Sequence, residues 1–317
     1  MSAANNSKER VSLVVPVRNE EETIGELLAS IDEQTAQPDE IVFVDGGSTD
    51  STANIIQKRS MSDARFRLIT ATDATPGRGR NIGIEAARNE WIALTDAGIR
   101  IVPVWLREML KVRDGADIVY GNYSPTISGV FDKCATFAYV NPLRGGDIRN
   151  EQVVSCLLRK QLWKDVNGFP DLRASEDLAF VESVRSHGAT IAHAPLSMAY
   201  WRLQPNLWRT FKKFELYSRH NVWAGRQHDW HYGIAKLYLL LIPFALLAVL
   251  HSVWWLVMIF PWLLARAAKR MALHRSEFGL WPLIDPRMVI GTMGLIAVID
   301  IATFVGWARA FLGRTTG

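Results

Sequence analysis

The sequence predicts an α/β domain whose mostly parallel sheet is flanked by helices, followed by a C-terminal region of membrane helices. Short apolar runs rich in β-branched residues alternate with helical patterns in the first part of the 317-residue chain. Charge divides the chain in a similar way. Residues 1–196 carry 22 Lys and Arg against 27 Asp and Glu, whereas residues 197–317 carry 14 against 5. Nine of the 12 tryptophans follow residue 200, in the basic part.

The alternation of strands and helices is clearest before residue 120. The predicted strands are Val11–Val17, Glu40–Val44, Phe66–Ile69, Trp91–Thr95 and Asp117–Tyr120, and the predicted helices are Glu21–Gln34, Ser51–Arg59, Arg80–Arg88 and Val104–Arg113. The first helix has apolar residues at Ile24, Leu27, Leu28 and Ile31, which is the spacing of one helix face. Because strands joined through helices run parallel, we expect a mostly parallel sheet with helices on both faces.

Three apolar stretches in the C-terminal part predict two or three transmembrane helices. Leu237–Leu250 and Val253–Ala265 contain no charged residue, and Val289–Ala308 contains only Asp300, to which we assign no role. The first two are short for a span of about 20 residues, so a tight helical hairpin or partial burial in the membrane interface is also considered. The alternative to membrane helices is a pair of helices buried in the core of the protein.

Basic and aromatic residues flank these stretches as expected at a membrane surface. Arg266–Arg275 carries four basic side chains, which places this connection on the cytoplasmic side. The domain before Tyr232 is then also cytoplasmic if two spans lie between them. In Leu207–Tyr217, apolar residues recur every three or four positions with three basic residues between them. This pattern predicts a basic amphipathic helix in the headgroup plane, and an ordinary surface helix is the alternative.

Composition excludes several classes of protein. A chain with 49% hydrophobic and 21% charged residues is too apolar to be disordered. The net charge of +4 alone would suit a nucleic-acid-binding protein, but the basic part is also apolar and rich in tryptophan, which indicates a membrane surface. No nucleic-acid partner is therefore expected. The predicted division is a disordered N-terminus (1–10), an α/β catalytic domain (11–206), an interfacial helix with a linker (207–231) and a membrane region (232–317).

Polar residues cluster where the predicted strands end. Arg18, Asn19 and Glu20 follow the first strand, Asp45 to Asp50 follow the second, and Asp96 follows the fourth. Ligands of parallel sheets bind at the carboxyl ends of the strands, so these are the candidate binding residues. No GxGxxG or GxxxxGK[ST] motif follows a strand, which argues against a dinucleotide-binding Rossmann site and against a P-loop.

Five motifs in this order carry a resemblance to a known family. They are Pro16-Val-Arg18-Asn19-Glu20, Val44-Asp45-Gly-Gly-Ser48-Thr49-Asp50, Gly79-Arg80-Asn81-Ile-Gly83, Leu94-Thr-Asp96-Ala-Gly98 and Ser175-Glu176-Asp177. Together, over residues 10–220, they resemble the motifs of family 2 glycosyltransferases with the GT-A (nucleotide-diphospho-sugar transferase-like) fold. The resemblance implies a nucleotide-sugar donor, a divalent metal and inversion at the anomeric carbon.

Residues of the first three motifs are candidate donor-binding residues. Pro16, Arg18 and Glu20 resemble the residues that line the nucleoside, and Asp45 can accept a hydrogen bond from the uracil N3–H of a UDP donor. Ser48 is also a candidate donor-binding residue. The alternative for this motif is a turn between strand and helix in which Ser48 is the helix N-cap. Arg80 is expected before a helix and after a glycine-rich turn, where it can approach a diphosphate; a solvated arginine is the alternative.

The fourth motif departs from the family pattern. Asp96 matches the first position of an Asp-x-Asp motif, whose carboxylates hold Mg²⁺ or Mn²⁺ against the diphosphate, but Gly98 stands at the second position. We expect either that Arg100, two residues further along, supplies part of the missing positive charge, or that Asp96, the diphosphate and water hold the metal. A catalytically weak or inactive protein is a further alternative.

Glu176 and Asp177 are the candidate catalytic pair. They open a predicted helix, where acidic residues also complement the helix dipole without any catalytic role. In the family, the matching pair supplies the general base that deprotonates the acceptor hydroxyl, and position favours Asp177, with Glu176 second. The Gln-x-x-Arg-Trp signature of many processive relatives does not occur in order near Tyr200-Trp201-Arg202, so a synthase of long polymers is not expected.

The expected function is that of a multi-pass, membrane-anchored hexosyltransferase with its catalytic domain in the cytoplasm. It would invert the transferred sugar, use a UDP- or GDP-linked donor, and act on a lipid-linked acceptor, such as a polyprenyl phosphate, in cell-envelope polysaccharide synthesis. One alternative is a GT-A-like sugar nucleotidyltransferase, a class that normally carries an N-terminal glycine-rich phosphate loop. Another is a degenerate transferase that acts as a membrane scaffold, which Gly98 favours.

Overall fold

The computed structural model describes residues 10–145, 147–172 and 174–313, and the chain divides into two compact units. The first unit comprises the chain up to Ser124 together with Ile148–Trp201. The second comprises Pro125–Asp147 together with the chain from Arg202 onward. Apart from Arg10, the N-terminus predicted to be disordered lies outside the described residues. The domain boundaries predicted at residues 206 and 231 stay predictions.

The described part of the chain contains an eight-stranded sheet. Its strands are β1 (Val11–Val17), β2 (Glu40–Asp45), β3 (Phe66–Thr70), β4 (Trp91–Leu94), β5 (Ile99–Ile101), β6 (Ile118–Thr126), β7 (Cys156–Arg159) and β8 (Ile191–Arg202). Their order across the sheet is β3-β2-β1-β4-β7-β6-β8-β5. Strand β1 pairs in parallel with β2 and β4, and β2 pairs in parallel with β3. The α/β fold predicted from the sequence is confirmed, and the strands preceding the candidate site form the parallel half of the sheet.

The other half of the sheet is antiparallel, which the alternation before residue 120 does not predict. Strand β7 pairs antiparallel with both β4 and β6, and β5 pairs antiparallel with β8. Strand β7 comes from a later part of the chain and inserts between β4 and β6. The predicted strand at Asp117–Tyr120 therefore exists as part of β6, in a mixed rather than a mostly parallel sheet.

Helices cover the sheet, and each predicted helix is present with shifted ends. The α-helices of the described residues are α1 (Ile24–Asp32), α2 (Thr52–Ser62), α3 (Pro76–Ala86), α4 (Trp105–Lys111), α5 (Val130–Tyr139), α6 (Lys160–Asp165), α7 (Glu176–Ser186), α8 (Leu207–Trp223), α9 (Gln227–Leu239), α10 (Ile242–Leu250), α11 (Ile259–Leu273), α12 (Arg275–Phe278) and α13 (Pro286–Leu312). Alternate side chains of β1 enter two separate apolar cores, Leu13 and Val15 one core and Val14 the other. A strand buried on both faces explains why β1 is apolar throughout.

The second unit is helical and centred on α13. Small residues bring its neighbours close, because a Cβ on Gly306 would lie 2.4 Å from the carbonyl oxygen of Glu215 in α8. Helices α9 and α11 are fixed to α13 by the buried carboxylate of Asp300, which accepts hydrogen bonds from the Arg266 guanidinium and, at 3.0 Å, from the Tyr238 hydroxyl. Asp300, to which the sequence assigned no role, therefore holds three helices together.

Two helices among the described residues are long and apolar enough to cross a membrane, Gln227–Leu250 and Pro286–Leu312. The first combines α9 and α10. The predicted stretch Val253–Ala265 is not among these candidates, because it begins as a 3₁₀-helix at Val253–Met258 and continues as part of α11. The connection predicted at Arg266–Arg275 is largely helical, since Arg266 and Arg270 lie in α11.

Candidate active site

The loops that follow β1 and β2 are joined by hydrogen bonds. The backbone N–H of Asn19 donates to the Ser48 hydroxyl at 2.9 Å, and Asn19 Oδ1 accepts from the Thr49 N–H at 2.8 Å. The Glu20 N–H donates to Thr52 Oγ1 at 2.8 Å. Asn19 has a φ of +55°, a left-handed conformation that Asn adopts more readily than most residues. The polar motifs after the first two strands therefore form one surface.

Asp45 ends β2 with a buried carboxylate. Its two oxygens accept hydrogen bonds from the Ser48 N–H at 3.2 and 3.1 Å, and Oδ1 also accepts from the Ser48 hydroxyl. Helix α2 begins at Thr52 with Ser51 as its N-cap residue, so the alternative in which Ser48 caps this helix is wrong. Ser48 instead connects Asp45 to the loop after β1.

Pro16 and Arg18 lie at the end of β1, beside this surface. Pro16 contacts α3 closely, because a Cβ on Gly79 would lie 3.2 Å from the Pro16 Cβ. Arg18 is exposed and forms an ion pair of 3.7 Å with Asp73. An exposed pair at this distance contributes little stability, so Arg18 can exchange it for an anionic ligand at small cost.

The glycines before Arg80 lie inside α3 and not in a turn before it. Helix α3 begins at Pro76, one turn earlier than predicted. A Cβ on Gly77 would lie 2.6 Å from a backbone oxygen, and one on Gly83 would lie 2.4 Å from Val14 Cγ1. Only glycine permits such close packing of a helix on its neighbours. The glycine-rich sequence therefore brings α3 against β1 and places Arg80 in the interior, so a solvated Arg80 is excluded.

The buried guanidinium of Arg80 joins the fourth and fifth motifs. It donates to Asp96 Oδ1 at 2.6 Å and to Glu176 Oε1 at 3.1 Å. Its central carbon lies 5.5 Å from the ring centroid of Phe169. Burial lowers the pKa of Arg80, but the charges of Asp96 and Glu176 outweigh burial and raise this pKa overall, so Arg80 stays protonated.

Glu176 and Asp177 begin α7 in different surroundings. Glu176 is 7% exposed, and burial raises its pKa even though the Arg80 charge opposes the shift. Asp177 is half-buried, and its Oδ1 accepts a hydrogen bond from the Leu178 N–H at 2.8 Å. Glu176 is thus part of the ion-pair network of Arg80, and Asp177 is the more accessible carboxylate of the two.

Gly98 lies beside the carboxylate of Glu20. A Cβ on residue 98 would lie 3.4 Å from Glu20 Oε2 and 3.7 Å from Oε1. The Thr23 hydroxyl donates to Oε2. Burial raises the pKa of Glu20, and the negative charge of Asp96 adds to this rise, so the two carboxylates influence each other. A carboxylate from another loop therefore reaches the space beside the position where the family motif has its second Asp.

The described residues contain no group of three or more His, Cys, Asp or Glu side chains that could hold a metal. The donor set nevertheless suits Mg²⁺ or Mn²⁺ in part, because Asp96 and Glu20 both present carboxylate oxygens, the ligand type that these ions prefer. A donor diphosphate and water would have to complete the coordination. Asp96 and Glu20 therefore suit a metal ion whose other ligands come from the substrate and from water.

Arg100 lies on β5, whereas Asp96 lies in the loop between β4 and β5. Strand β4 ends at Leu94, and β5, which carries Arg100, pairs with β8. The guanidinium carbon of Arg100 lies 5.2 Å from the ring centroid of Tyr200. The sequence places Arg100 beside Asp96 only if the strand continues past Asp96, and it does not continue. A contact between Arg100 and the diphosphate therefore stays a prediction.

Several supporting residues of the site carry no sequence signal of their own. Thr52 positions the Glu20 backbone, and Phe169 lies beside the Arg80 guanidinium. Asn81 holds the chain at Phe169 through two hydrogen bonds, donating to its carbonyl oxygen at 2.7 Å and accepting from its N–H at 2.8 Å. Only Asn81 lies in one of the five motifs, and its contact is 88 residues away in sequence.

Comparisons with known proteins agree with this geometry. Residues 12–134 match the model of the family described as Glycosyl transferase family 2. The putative glycosyltransferase EpsH of Bacillus subtilis (strain 168) is 39% identical over 115 residues, which are 36% of this chain and 33% of EpsH. The succinoglycan biosynthesis protein ExoO of Rhizobium meliloti (strain 1021) is 36% identical over 115 residues, which are 35% of this chain and 32% of ExoO.

A solved structure shares the fold. The mannosyltransferase PcManGT from Pyrobaculum calidifontis, in complex with GDP-Man and Mn²⁺, aligns with a TM-score of 0.55 over 94% of this chain and 88% of its own, at 18% sequence identity. The chain spans about a third of the length of the two curated relatives. The family match over residues 12–134 and the named relatives show that the first part of this chain is similar to family 2 glycosyltransferases, and its fold is the GT-A fold.

Proposed function

We propose that this protein is a membrane-anchored glycosyltransferase that moves a sugar, with inversion, from a UDP- or GDP-linked donor to a lipid-linked acceptor. One observation carries the proposal: the buried Arg80 guanidinium joins Asp96 and Glu176 beside the carboxyl end of the parallel strands. This is where ligands of α/β sheets bind. The carboxylates that Arg80 orients here, next to exposed polar loops, suit a divalent metal that would bind the departing diphosphate.

The donor would bind along the loops after β1 and β2. The Asp45 carboxylate would accept from the base, and Pro16, Arg18 and Ser48 would surround the nucleoside. The hydrogen bonds between these loops hold the groups in place before the donor arrives. The complex of PcManGT with GDP-Man supports a GDP-linked donor, and the carboxylate of Asp45 suits the base of UDP equally.

Asp177 is proposed as the general base, because it is the more accessible carboxylate of the pair. It would take the proton of an acceptor hydroxyl as that oxygen attacks the anomeric carbon in line with the departing diphosphate. Glu176, held by Arg80, would position the guanidinium and is the second choice as base. With a phosphate acceptor the base would matter less, because that acceptor is already ionised.

Asp96 and Glu20 are the residues that would hold a divalent metal. Bound Mg²⁺ or Mn²⁺ neutralises the charge that develops on a diphosphate leaving group. Glu20 approaches from the loop after β1 and its carboxylate lies beside the missing side chain of Gly98. The Mn²⁺ in the PcManGT complex supports the use of a divalent metal here.

The second unit supports a membrane location and a lipid-linked acceptor. It contains both helices that are long and apolar enough to cross a membrane, and it carries the basic excess of the chain. The name of ExoO, a succinoglycan biosynthesis protein, supports a role in polysaccharide synthesis. Basic flanks favour a cytoplasmic catalytic domain. A nucleotidyltransferase gains no support, because the named relatives and the matched family are glycosyltransferases.

The experiment is a screen of radiolabelled UDP- and GDP-sugars on membranes that contain the protein, read as label extracted with the lipids. Membranes of the same host without this protein control for transferases of the host. One donor is expected to label lipid above this control, and EDTA is expected to remove the difference until Mn²⁺ or Mg²⁺ is restored. Absence of transfer from every donor, with intact nucleotide binding, would establish the scaffold alternative instead.

A further inference from the structure

One segment of the second unit, Leu237–Ala265, is apolar and largely exposed. Leu237–Ala265 contains no Asp, Glu, Lys or Arg, and charges resume at Lys236 and Arg266. Neither α10 nor the following 3₁₀-helix contains a buried residue. The large exposed side chains are Leu237, Leu239, Leu240, Ile242, Leu246, Leu247, Val249, Leu250, Val253, Trp254, Leu256, Val257, Met258, Ile259, Phe260 and Leu264. Uncovered apolar surface of this extent marks an interaction site.

This segment doubles back on itself as a hairpin. The rings of Phe244 in α10 and Trp255 in the 3₁₀-helix lie 6.3 Å apart, and those of Tyr238 and Trp262 lie 4.9 Å apart. At the base, Arg266 and Tyr238 both bind the carboxylate of Asp300 in α13. Asp300 therefore fixes the base of both arms to α13, and the apolar residues of the hairpin lie further along the arms.

The arms of the hairpin are short compared with a bilayer. The first arm, Leu237–Leu250, has 14 residues. At 1.5 Å per residue it extends about 21 Å, whereas the hydrocarbon core of a bilayer is about 30 Å thick. The chain then turns back through the 3₁₀-helix and reaches Arg266 within the next helix. Such a hairpin can enter one leaflet but is too short to cross both.

Helix α13, the other candidate span, is covered by protein on one side, whereas Ile290 and Ile301 are exposed. Its buried residues extend from Met288 to Ala310. Helix α8 packs along it, with an ion pair of 3.3 Å between Arg309 and Glu215 and a hydrogen bond of 2.7 Å from the Ser218 hydroxyl to the Thr303 carbonyl oxygen. A bilayer position for α13 would carry the charges of α8 into hydrocarbon, at high cost.

We propose that the second unit binds the membrane from one side only, with the hairpin Leu237–Ala265 inserted into a single leaflet and with neither Gln227–Leu250 nor Pro286–Leu312 crossing the bilayer. Lys236 and Lys269, at the two ends of the hairpin, lie where anionic headgroups would meet them. This inference rests on the membrane anchoring proposed above, and it replaces the multi-pass arrangement expected from the sequence.

The first test measures on which side of the membrane two positions lie. Met61, exposed in the first unit, and Ser276, between α11 and α13, are replaced one at a time by cysteine in the full chain; the native cysteines are buried. Sealed vesicles are treated with an impermeant maleimide from either side. One-sided insertion labels Met61→Cys and Ser276→Cys from the same side. If the two candidate helices cross the bilayer, Ser276→Cys is labelled from the opposite side and the proposal is wrong. A third variant, His251→Cys at the turn of the hairpin, tests whether the two arms cross as two spans. One-sided insertion leaves it unlabelled from either side, and labelling from the side opposite to Met61→Cys also makes the proposal wrong.

The second test separates insertion from membrane anchoring in general. Purified protein is floated with vesicles of phosphatidylethanolamine and phosphatidylglycerol. Val249→Glu near the tip is expected to lower the bound-to-free ratio by roughly tenfold or more, because a charge is costly in hydrocarbon. Met61→Glu, on the equally exposed Met61 of the first unit, leaves the ratio unchanged. Wild type that fails to float would overturn the anchoring itself; wild type that floats with Ser276→Cys on the far side overturns only the one-sided arrangement.

Discussion

Strand β2 begins with Glu40 and ends with Asp45, and the two ends of the parallel strands differ in how their acidic residues are satisfied. At the amino end, the buried Glu40 carboxylate accepts hydrogen bonds from the Ser12 hydroxyl at 2.6 Å, from the Arg88 N–H at 2.9 Å and from the Arg67 guanidinium. Burial raises the pKa of Glu40, but these hydrogen bonds outweigh it and the pKa is lowered overall.

At the carboxyl end, acidic groups outnumber their basic partners. One guanidinium, that of Arg80, serves both Asp96 and Glu176. Burial raises the pKa of Glu176 and of Glu20, and in neither case do the local partners reverse the shift. The amino end is therefore built for stability, whereas the carboxyl end keeps carboxylates that a ligand, a metal or an acceptor proton can still engage.

The largest effect expected at the carboxyl end is on catalysis. Asp177→Asn should lower the rate of sugar transfer by about 10²- to 10⁴-fold, the usual contribution of a general base. Nucleotide binding should stay within twofold, because Asp177 lies outside the loops proposed for the donor. The rate is measured in the lipid-label assay and binding by calorimetry. Near-normal transfer by Asp177→Asn would refute the assignment for a hydroxyl acceptor.

The next effect is on stability. Arg80→Met removes the charge between two carboxylates, and breaking a buried pair in this way costs about 3–5 kcal/mol of unfolding free energy. Arg78→Met, on the exposed side of the same helix, serves as the matched control and should change stability by about 0.5 kcal/mol or less. Denaturant unfolding of both variants gives the comparison. Equal stabilities would mean that Arg80 contributes nothing to the fold.

Glu40 tests the amino end. Glu40→Gln should lower the free energy of unfolding by about 1.5–3 kcal/mol at pH 7, with no change in transfer rate. Because the folded-state pKa of Glu40 is lowered, its stabilisation is present above the ordinary pKa of a glutamate and is lost as the pH falls through the folded-state value. The difference from wild type should therefore shrink in acid. Glu85→Gln, an exposed position on α3, is the control, and a difference independent of pH would contradict the argument.

The smallest effect expected is on metal affinity. With UDP or GDP present, Glu20→Gln should weaken Mn²⁺ binding roughly tenfold, since one of the two protein carboxylates is lost. Glu22→Gln, exposed and two residues along, should bind Mn²⁺ as the wild type does. Electron paramagnetic resonance of free Mn²⁺ measures both affinities without relying on turnover. Unchanged affinity in Glu20→Gln would exclude Glu20 as a metal ligand.

The parallel half of the sheet could be predicted because its strands alternate with helices along the chain, so local patterns carry the topology. The position of β7 could not be predicted from the sequence, because its insertion between β4 and β6 depends on pairing between distant segments of the chain. The start of α3 was predicted one turn late, because glycine disfavours helices in isolation, and the close contact of Gly83 with Val14 that requires glycine is visible only in three dimensions.

The candidate site also contains features that the sequence predicts and features that only the structure shows. The motifs identified Asp45, Asp96 and Glu176, which end or follow a strand or begin a helix. They also identified Arg80, although it lies inside α3 and not before it. The substitution at Gly98 indicated a missing ligand, but the carboxylate beside it comes from Glu20, far away in sequence. Periodicity likewise found the apolar stretches near the C-terminus, whereas only packing distinguishes the covered α13 from the uncovered α10.

The most direct test of the central claim compares the two ends of one strand. UDP and GDP are titrated calorimetrically into wild type, Asp45→Asn and Glu40→Gln. If the nucleotide binds at the carboxyl end, Asp45→Asn should weaken binding of the preferred nucleotide roughly tenfold, as expected when a buried hydrogen bond to a ligand is lost, and Glu40→Gln should leave it unchanged. Equal affinities for all three proteins, or a loss confined to Glu40→Gln, would contradict the account.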